Sequence, residues 1–284
     1  MSKVKILDLF RDWYINPNKK TLVMGVLNVT PDSFSDGGNF FSAKDAIQQA
    51  MSLISEGANI IDVGGESSRP GAIPLSIEDE LDRVIPIIRN IREKSTEILI
   101  SIDTYKSEVA KEALKSGANI VNDISGLMFD KKMANVIAEA QAPIVIMHMQ
   151  GTPADMQNNP NYNNLIDDIC SFFSNQVDFA TSKGINKSQI ILDPGIGFGK
   201  TMNDNFKLIQ QLDKFLSLGF PLMIGPSRKS FIGNFLNLEI DERVEGTAAV
   251  IAAGIMNGAR IVRVHDIKEI KRVVKVIDKI RMVI

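Results

Sequence analysis

Four cationic or ionisable side chains could hold an anion in a chain whose net charge is only −2. These side chains are Arg69, Lys229, Arg263 and His265. Arg263 and His265 stand two residues apart, so both would point to the same side of a strand. Arginine offers a planar fork of donors that matches phosphate oxygens. With the glycine pair Gly64-Gly65 close to Arg69 in the chain, the set predicts a site for phosphate or diphosphate.

A second set of side chains offers hydrogen-bond acceptors rather than positive charge. Asp103, Asn122 and Asp193 each stand at or near the end of an apolar run. Carboxylate and amide oxygens at such buried positions can accept hydrogen bonds from the N–H groups of a flat nitrogen heterocycle. Asp103 and Asn122 also have a structural alternative, because aspartate and asparagine cap the helices that follow strands.

A long polar stretch, residues 28–38, directly follows the first apolar run. Its proline, aspartate, serine and glycine residues cannot continue a strand or start a stable helix. Compact domains keep most connections short, so this length predicts a loop with a function. The alternative for Asp36-Gly37-Gly38 alone is an ordinary surface turn.

Apolar runs rich in Ile and Val alternate along the chain with longer amphipathic stretches, as in folds whose strands are buried on both faces. The predicted strands are 22–28, 60–64, 98–103, 120–124, 144–149, 190–193, 222–225 and 261–265. The predicted helices are 43–57, 77–92, 106–117, 131–141, 165–184, 205–218, 243–257 and 268–282. Eight strand–helix pairs favour an α/β fold, the (β/α)8 TIM barrel, over a doubly wound open sheet.

A barrel would collect the C-terminal ends of its strands on one face, which is where such folds carry their active sites. Every predicted strand ends on, or is followed by, polar or charged residues. Helix capping accounts for one such ending, but eight of them predict a common polar crevice. The cationic set and the acceptor set would form its two halves.

No linker or shift in composition divides the 284 residues. We therefore predict one barrel domain over residues 21–284 and an N-terminal extension over residues 1–20 that packs on the barrel. Trp13 and Phe10 would anchor this extension.

The composition argues against several classes of protein. The chain has no basic block of the nucleic-acid-binding kind, and no apolar run reaches the ~18 residues of a membrane span. The single cysteine, Cys170, forms neither an intrachain disulfide framework nor a cysteine zinc site. We expect a cytoplasmic protein, because residues 1–20 are charged throughout and lack the apolar core of a signal peptide.

Two motif-like patterns are set aside. Segment 195–201, GIGFGKT, resembles a phosphate-binding loop, but that pattern needs glycine where Pro194 stands. The two histidines, His148 and His265, are too far apart to form a helical metal motif. His148 stands between two methionines, which favours a packed or supporting role over catalysis.

Eight segments together resemble the dihydropteroate synthase family, in the right order from about residue 22 to the C-terminus. They are NVTPDSFSDGG (28–38), DVGGESSRPG (62–71), SIDT (101–104), NDISG (122–126), MHMQG (147–151), DPGIGFGK (193–200), SRKS (227–230) and RVH (263–265). One departure is visible at Ser68, where the family often has threonine. The hydroxyl group is kept, so we expect no loss of function.

The resemblance implies a reaction, a cofactor and partners. The family joins 6-hydroxymethyl-7,8-dihydropterin diphosphate to p-aminobenzoate and releases diphosphate and 7,8-dihydropteroate in folate synthesis. It also implies Mg²⁺ as cofactor, small-molecule substrates with no nucleic acid or membrane partner, a homodimer, and a sulfonamide target.

Carried over position by position, the resemblance assigns roles to single residues. The pterin would be held by Asp103, Asn122, Ile124, Met147, Asp193 and Lys229. The diphosphate would be held by Asn28, Ser68, Arg69, Arg263 and His265, and Asn28 would also bind Mg²⁺. p-Aminobenzoate would be surrounded by Thr30, Pro31, Phe34, Phe198 and Ser227. The residues expected to take part in catalysis are Arg69, Lys229, Arg263 and His265.

Two other functions stay open. A methyltetrahydrofolate methyltransferase would share the Asp/Asn pterin pocket, but it would need neither the diphosphate groups nor the loop at 28–38. A non-catalytic pterin-binding paralogue would carry damaged motifs, and none is visible. In the favoured function, residues 29–38 and 66–72 are expected to complete the p-aminobenzoate site only once diphosphate is bound.

Overall fold

The computed structural model describes residues 10–16, 18–29, 43–67 and 71–283. Within these ranges, eight parallel strands close into a barrel in chain order. They are β1 (Leu22–Asn28), β2 (Ile60–Gly64), β3 (Leu99–Asp103), β4 (Ile120–Asp123), β5 (Ile144–Met147), β6 (Ile190–Asp193), β7 (Leu222–Ile224) and β8 (Ala259–Val264). Because β1 pairs with β8, with Leu22 opposite Ile261, the predicted TIM barrel is confirmed and the open sheet is excluded.

Helices cover the outside of this barrel. They are Ala43–Ser55, Ile77–Lys94, Ser107–Ser116, Met133–Ala140, Leu165–Ser182, Met202–Gln210, Ser230–Leu236, Val244–Met256 and Ile267–Arg281. The helix Ile77–Lys94 illustrates the pattern, because its buried side chains include Val84, Ile87 and Ile91. These positions recur every three or four residues, which places one apolar stripe against the strands. None of the helices among the described residues combines the length and the apolar composition of a membrane span.

The predicted helix 205–218 forms two elements instead of one. An α-helix covers Met202–Gln210, and a 3-10 helix covers Leu212–Leu218. The α-helix begins early because Thr201 and Asp204 form a capping box, in which each side chain accepts a hydrogen bond from the backbone N–H of the other. The helix Ser230–Leu236 was not predicted, since seven residues carry too little periodicity to reveal a helix.

Strand β8 begins at Ala259, two residues before the predicted start. The prediction started too late because Arg260 carries a charge, which argues against a buried strand. In the structure the side chain of Arg260 is nevertheless buried. Its Nη2 atom donates to the carbonyl oxygens of Trp13 and Asn16, at 2.8 Å each. These bonds compensate for the burial of the guanidinium. Strand β5 is shorter than predicted, because it ends at Met147 and not at residue 149.

Residues 10–15 form a helical segment that packs at the N-terminal end of the barrel. Phe10 and Trp13, 2% and 6% exposed, contact inward-facing residues near the strand starts, such as Met24 and Ile60. The Arg260 guanidinium lies 4.4 Å from the centroid of the Trp13 ring. The two expected anchors are therefore buried, while the division of the chain at residue 20 stays a prediction.

Candidate active site

The strand register brings the polar strand ends together at one mouth of the barrel. Asp103, the last residue of β3, lies opposite Asn122 of β4. Gly64, the last residue of β2, lies opposite both Asn28 and Asp103. The C-terminal ends of these neighbouring strands thus form one rim, which is the crevice that the sequence predicts.

Asp62 joins Asn122 and Arg263 inside this mouth. Its Oδ2 atom accepts hydrogen bonds from Asn122 Nδ2 at 3.1 Å and from Arg263 Nε at 2.6 Å. The same guanidinium donates through Nη2 to Asp103 Oδ2 at 2.7 Å. Arg263 was predicted to hold diphosphate, and Asp103 and Asn122 were predicted to hold the pterin. The network therefore links the two halves of the crevice through shared partners.

Burial and charge together set the protonation of this network. Burial raises the pKa of Asp103 to about 7, and Asp62 adds to the increase, although Arg263 opposes it. Burial alone would lower the pKa of Arg263, but the carboxylates of Asp62 and Asp103 raise it above its ordinary value. Arg263 is consequently a permanent cation, whereas Asp103 can change protonation near neutral pH.

Three buried oxygen atoms in this region have no hydrogen-bond partner among the described residues. They are Asp62 Oδ1, Ser101 Oγ and Asn122 Oδ1. A buried acceptor without a donor costs ~1–3 kcal/mol, so such atoms indicate that a donor is supplied from elsewhere. The N–H groups of a bound heterocycle would supply one to Asn122, in line with its predicted role.

Asp193, at the end of β6, is a further buried acceptor. Its Oδ1 atom accepts a hydrogen bond from the backbone N–H of Gly195 at 2.8 Å. Burial raises the pKa of Asp193 to about 6, while the Gly195 hydrogen bond and the charges of Lys200, Lys229 and Arg263 lower it. At pH 7 the side chain is thus mainly a carboxylate that can accept from the donors of a ligand.

Lys229 connects the pterin set to the predicted p-aminobenzoate wall. Its Nζ atom lies 4.0 Å from the centroid of the Phe198 ring, which is a cation–π contact. Burial lowers the pKa of Lys229 to about 8, and Arg263 lowers it further, while Asp193 and Asp103 oppose the change. Lys229 is therefore mainly cationic at pH 7, close to an aromatic face and to two carboxylates.

Apolar side chains complete the described part of the mouth. Ile124, Met147 and Phe198 belong to one buried cluster, together with Met156. Ile124 and Met147 were predicted to line the faces of the pterin, and Phe198 was predicted to contact p-aminobenzoate. Their contact places an apolar surface beside the acceptors, as a flat ring with polar edges requires.

His265 and Ser227 contact each other on the other side of the crevice. The backbone N–H of His265 donates to Ser227 Oγ at 3.1 Å, and the ring Nδ1 lies 3.0 Å from the same oxygen. Burial lowers the pKa of His265 to about 4, and the charges of Arg263 and Arg228 lower it further. The ring is thus neutral at pH 7. A residue predicted for diphosphate therefore contacts a residue predicted for p-aminobenzoate.

Asn28 ends β1 and is only partly buried. Within the described residues, no three His, Cys, Asp or Glu side chains cluster as a metal site would require. A single neutral oxygen donor fits Mg²⁺ only where other ligands, such as phosphate oxygens and water, complete the coordination. The donor set is therefore compatible with Mg²⁺ that binds together with diphosphate.

Five predicted residues lie outside the described residues, and their roles stay predictions. They are Thr30, Pro31, Phe34, Ser68 and Arg69.

Two residues of the mouth received no role from the sequence. Asp62 opens the segment DVGGESSRPG (62–71) and lies within the apolar strand Ile60–Gly64, where a charge needs a partner, but the sequence did not identify that partner. Lys200 lies in the segment that was set aside as a false phosphate-binding loop. Its side chain is buried, and Nζ lies 3.1 Å from Nδ1 of His148. His148 itself is packed, as expected, with its ring edge-on to Phe172.

Comparisons with known proteins agree with this geometry. The model of the pterin binding enzyme family matches residues 24–265. The dihydropteroate synthase of Synechocystis sp. is 51% identical over 94% of this chain and 91% of its own length. The dihydropteroate synthase of Bacillus subtilis is 50% identical over 92% of this chain and 88% of its own length.

Solved structures of dihydropteroate synthases are also similar to this chain. The crystal structure of the Yersinia pestis dihydropteroate synthase with a sulfonamide drug complex has a TM-score of 0.89 and 40% identity, and the match covers 94% of this chain and 96% of that one. The Xanthomonas albilineans enzyme in complex with 7,8-dihydropteroate has a TM-score of 0.85 and 33% identity, with 94% and 96% covered. The chain therefore belongs to the dihydropteroate synthase family of pterin-binding enzymes.

Proposed function

We propose that this chain joins 6-hydroxymethyl-7,8-dihydropterin diphosphate to p-aminobenzoate, releasing diphosphate and 7,8-dihydropteroate in folate synthesis. The observation that carries the proposal is the network around the partly buried Arg263, whose guanidinium donates to Asp62 at 2.6 Å and to Asp103 at 2.7 Å, while Asn122 donates to Asp62 at 3.1 Å. The relative from Xanthomonas albilineans binds 7,8-dihydropteroate, which is the product of this reaction. The relative from Yersinia pestis binds a sulfonamide drug, and we propose the same sensitivity here.

The substrate carries its own leaving group, so the protein needs no nucleophile. When the bond between the exocyclic methylene carbon and the diphosphate oxygen breaks, the electron pair leaves with diphosphate and positive charge remains on the dihydropterin. Asp103 and Asp193, at the donors of the pterin, would stabilise that charge. Arg263 and His265 would stabilise the departing anion, and each well-placed donor of this kind is worth ~3 kcal/mol of barrier.

The second step forms the new carbon–nitrogen bond. The aromatic amine of p-aminobenzoate is neutral at pH 7, so it needs no base before it attacks the methylene carbon. Phe198 would hold the aromatic ring beside the pterin, and Ser227 would bind at its edge. The amine then loses one proton as 7,8-dihydropteroate forms. Holding both reactants in this arrangement accounts for a large part of the expected acceleration.

Mg²⁺ is part of the proposal, with Asn28 as its protein ligand. When bound, it would neutralise charge on the diphosphate as a Lewis acid. The support is the amide of Asn28, which ends β1 at the rim beside Gly64, the last residue of the strand that precedes the predicted diphosphate residues Ser68 and Arg69.

A homodimer and a cytoplasmic location also remain proposals. The dimer is supported by exposed large apolar side chains on the helix Ser230–Leu236 and nearby, with Phe235 63% and Ile240 51% exposed. Light scattering at micromolar concentration tests it, and a mass near 31.3 kDa would contradict it.

Incubation with dihydropterin diphosphate, p-aminobenzoate and Mg²⁺ tests the activity directly. Formation of 7,8-dihydropteroate that stops when p-aminobenzoate is omitted is the expected result. Methyl transfer from methyltetrahydrofolate without this condensation would favour the methyltransferase. Pterin binding without either reaction would favour the non-catalytic paralogue. The variant Asp193→Ala is the matched control, because it should remove turnover while the barrel stays folded.

A further inference from the structure

Lys200 ends the glycine-rich segment 195–200, which carries Phe198. The backbone of this segment packs directly on the chain that follows β5. A Cβ atom added at Gly195 would overlap the carbonyl oxygen of His148, and one added at Gly199 would lie 2.6 Å from Gln150 O. Both glycines have positive φ, of 69° and 61°, so only glycine combines this conformation with this contact.

The buried amine of Lys200 connects the two segments that pack here, because it contacts both Phe198 and His148. Nζ donates to Phe198 O at 2.9 Å and to His148 O at 3.4 Å, and it lies 3.1 Å from His148 Nδ1. Burial, and then the charge of Lys200, lower the pKa of His148 to about 2, so its ring is neutral and Nδ1 can accept. Each of the three N–H bonds of the Lys200 ammonium group therefore has an acceptor. These acceptors lie in the segments that follow the neighbouring strands β5 and β6.

Hydrogen bonding alone does not explain a charge at this place. Lys200 is 3% exposed, and burying an ammonium group costs several kcal/mol, whereas a neutral amide could donate to Phe198 O at lower cost. The negative charge that most offsets this cost is that of Asp193. Burial lowers the pKa of Lys200 to about 7, and Asp193 is the group that most opposes this change, followed by Asp204, while Lys229 reinforces it.

We propose that Lys200 is a positioning residue for the reaction, which holds Phe198 against the end of β5 and supplies a buried positive charge that favours the ionised carboxylate of Asp193. The inference rests on the proposed function, because it takes Asp193 to be an acceptor for the pterin. Lys200 contacts neither substrate in this account. It acts through Asp193, which accepts hydrogen bonds from the pterin more strongly as a carboxylate than as a protonated acid, and through the carbonyl of Phe198.

The proposal predicts a pH dependence with a definite sign. The groups whose charge or hydrogen bond lowers the pKa of Asp193 are Gly195 N–H, Lys200, Lys229 and Arg263, and burial raises it to about 6. Pterin affinity should therefore fall as the pH falls through about 6, in addition to the loss expected near pH 7 from the protonation of Asp103, which Lys200 does not set. Lys200 is charged below about pH 7, so its charge is present where Asp193 titrates. Removal of that charge should raise the pKa of Asp193 and move the loss of affinity to higher pH, by about 1 unit.

Three variants separate charge from hydrogen bonding. Lys200→Met removes both, Lys200→Gln keeps a donor but no charge, and Lys200→Arg keeps the charge. The dissociation constant of a pterin without diphosphate is measured by calorimetry between pH 5 and 8, alongside the melting temperature. We expect the pH at which pterin affinity is lost on acidification to be higher in Lys200→Met and Lys200→Gln than in the unmodified protein. In Lys200→Arg this pH should equal that of the unmodified protein. If Lys200→Met does not fold, Lys200→Gln carries the test.

The same variants test the contact with Phe198. The KM for p-aminobenzoate should rise in Lys200→Met and stay close to that of the unmodified protein in Lys200→Gln. If pterin affinity falls at the same pH in all the proteins, the proposed role of the Lys200 charge is wrong, whatever the change in melting temperature. Asp193→Asn distinguishes this failure from that of the proposed function. If Asp193→Asn binds the pterin as well as the unmodified protein does, the pterin assignment itself is wrong, and this inference falls with it.

Discussion

Asp193 and His265 should respond to different parts of the substrate, although both lie in one mouth. Asp193→Ala removes an acceptor for the pterin, so a pterin without diphosphate should bind roughly 10- to 100-fold more weakly, as for a lost hydrogen bond to a charged group. His265→Ala should leave that affinity nearly intact and weaken the diphosphate substrate. Calorimetry with both ligands measures the difference.

A surface carboxylate provides the control for this pair. Asp213 is exposed on the 3-10 helix Leu212–Leu218, so Asp213→Ala should change neither affinity. Equal losses for both ligands in Asp193→Ala and in His265→Ala would contradict the division of the crevice into two halves.

Asn28 should make metal binding depend on diphosphate. A neutral oxygen ligand binds Mg²⁺ well only when anionic oxygens complete the coordination. Asn28→Ala should therefore weaken binding of the diphosphate substrate and lower turnover in Mg²⁺. Asn28→Asp, which adds a charge, should let the free protein bind Mg²⁺ without diphosphate. Titration of Mg²⁺ with and without diphosphate checks both, and full activity of Asn28→Ala at the same Mg²⁺ requirement would refute the assignment.

At the scale of elements, the sequence predicts the strands well because each is a short run of mainly buried apolar residues, most often Ile and Val. Strands β1, β2 and β6 have the predicted bounds, since a polar residue or glycine ends each run. The site is harder to predict, because its contacts join distant parts of the chain. Asp62 and Arg263 are 201 positions apart, and no local pattern reveals that one accepts from the other. The family resemblance, rather than periodicity, placed most of the site residues.

The helical segment over residues 10–15 should stabilise the barrel without affecting the chemistry. Trp13 is 6% exposed and packs at the end of the barrel opposite to the mouth. Trp13→Ala should therefore lower the free energy of unfolding by ~3–5 kcal/mol while kcat stays unchanged where the protein is folded. Thermal or urea unfolding, combined with the condensation assay, tests this.

Ile15 provides the matched control in the same segment. It is 73% exposed, so Ile15→Ala should change the unfolding free energy little. Similar effects of Trp13→Ala and Ile15→Ala would show that the segment is not anchored through its buried aromatic ring.

At the scale of the whole molecule, barrel closure couples the two substrate sites. β7 and β8 are neighbours, so Ser227 and His265, which follow them, can share a hydrogen bond. With the His265 ring neutral, Ser227 Oγ accepts from the backbone N–H and can donate its own hydrogen to Nδ1. Bound diphosphate would place negative charge near His265 and raise its pKa from about 4. A protonated ring would donate to Ser227 Oγ instead, which frees the hydroxyl hydrogen for the carboxylate of p-aminobenzoate.

This exchange predicts that diphosphate with Mg²⁺ tightens p-aminobenzoate binding. By linkage, p-aminobenzoate must tighten diphosphate binding by the same factor. Because His265 gains a proton, diphosphate binding at pH 6 should take up more protons than in His265→Gln, a difference that calorimetry in buffers of unlike ionisation enthalpy measures. Ser227→Ala should bind diphosphate normally but lose most of the coupling, since the oxygen that joins the two sites is gone. Identical p-aminobenzoate affinities with and without diphosphate would mean that the two sites are independent, and an unchanged coupling in Ser227→Ala would place the connection elsewhere in the barrel mouth.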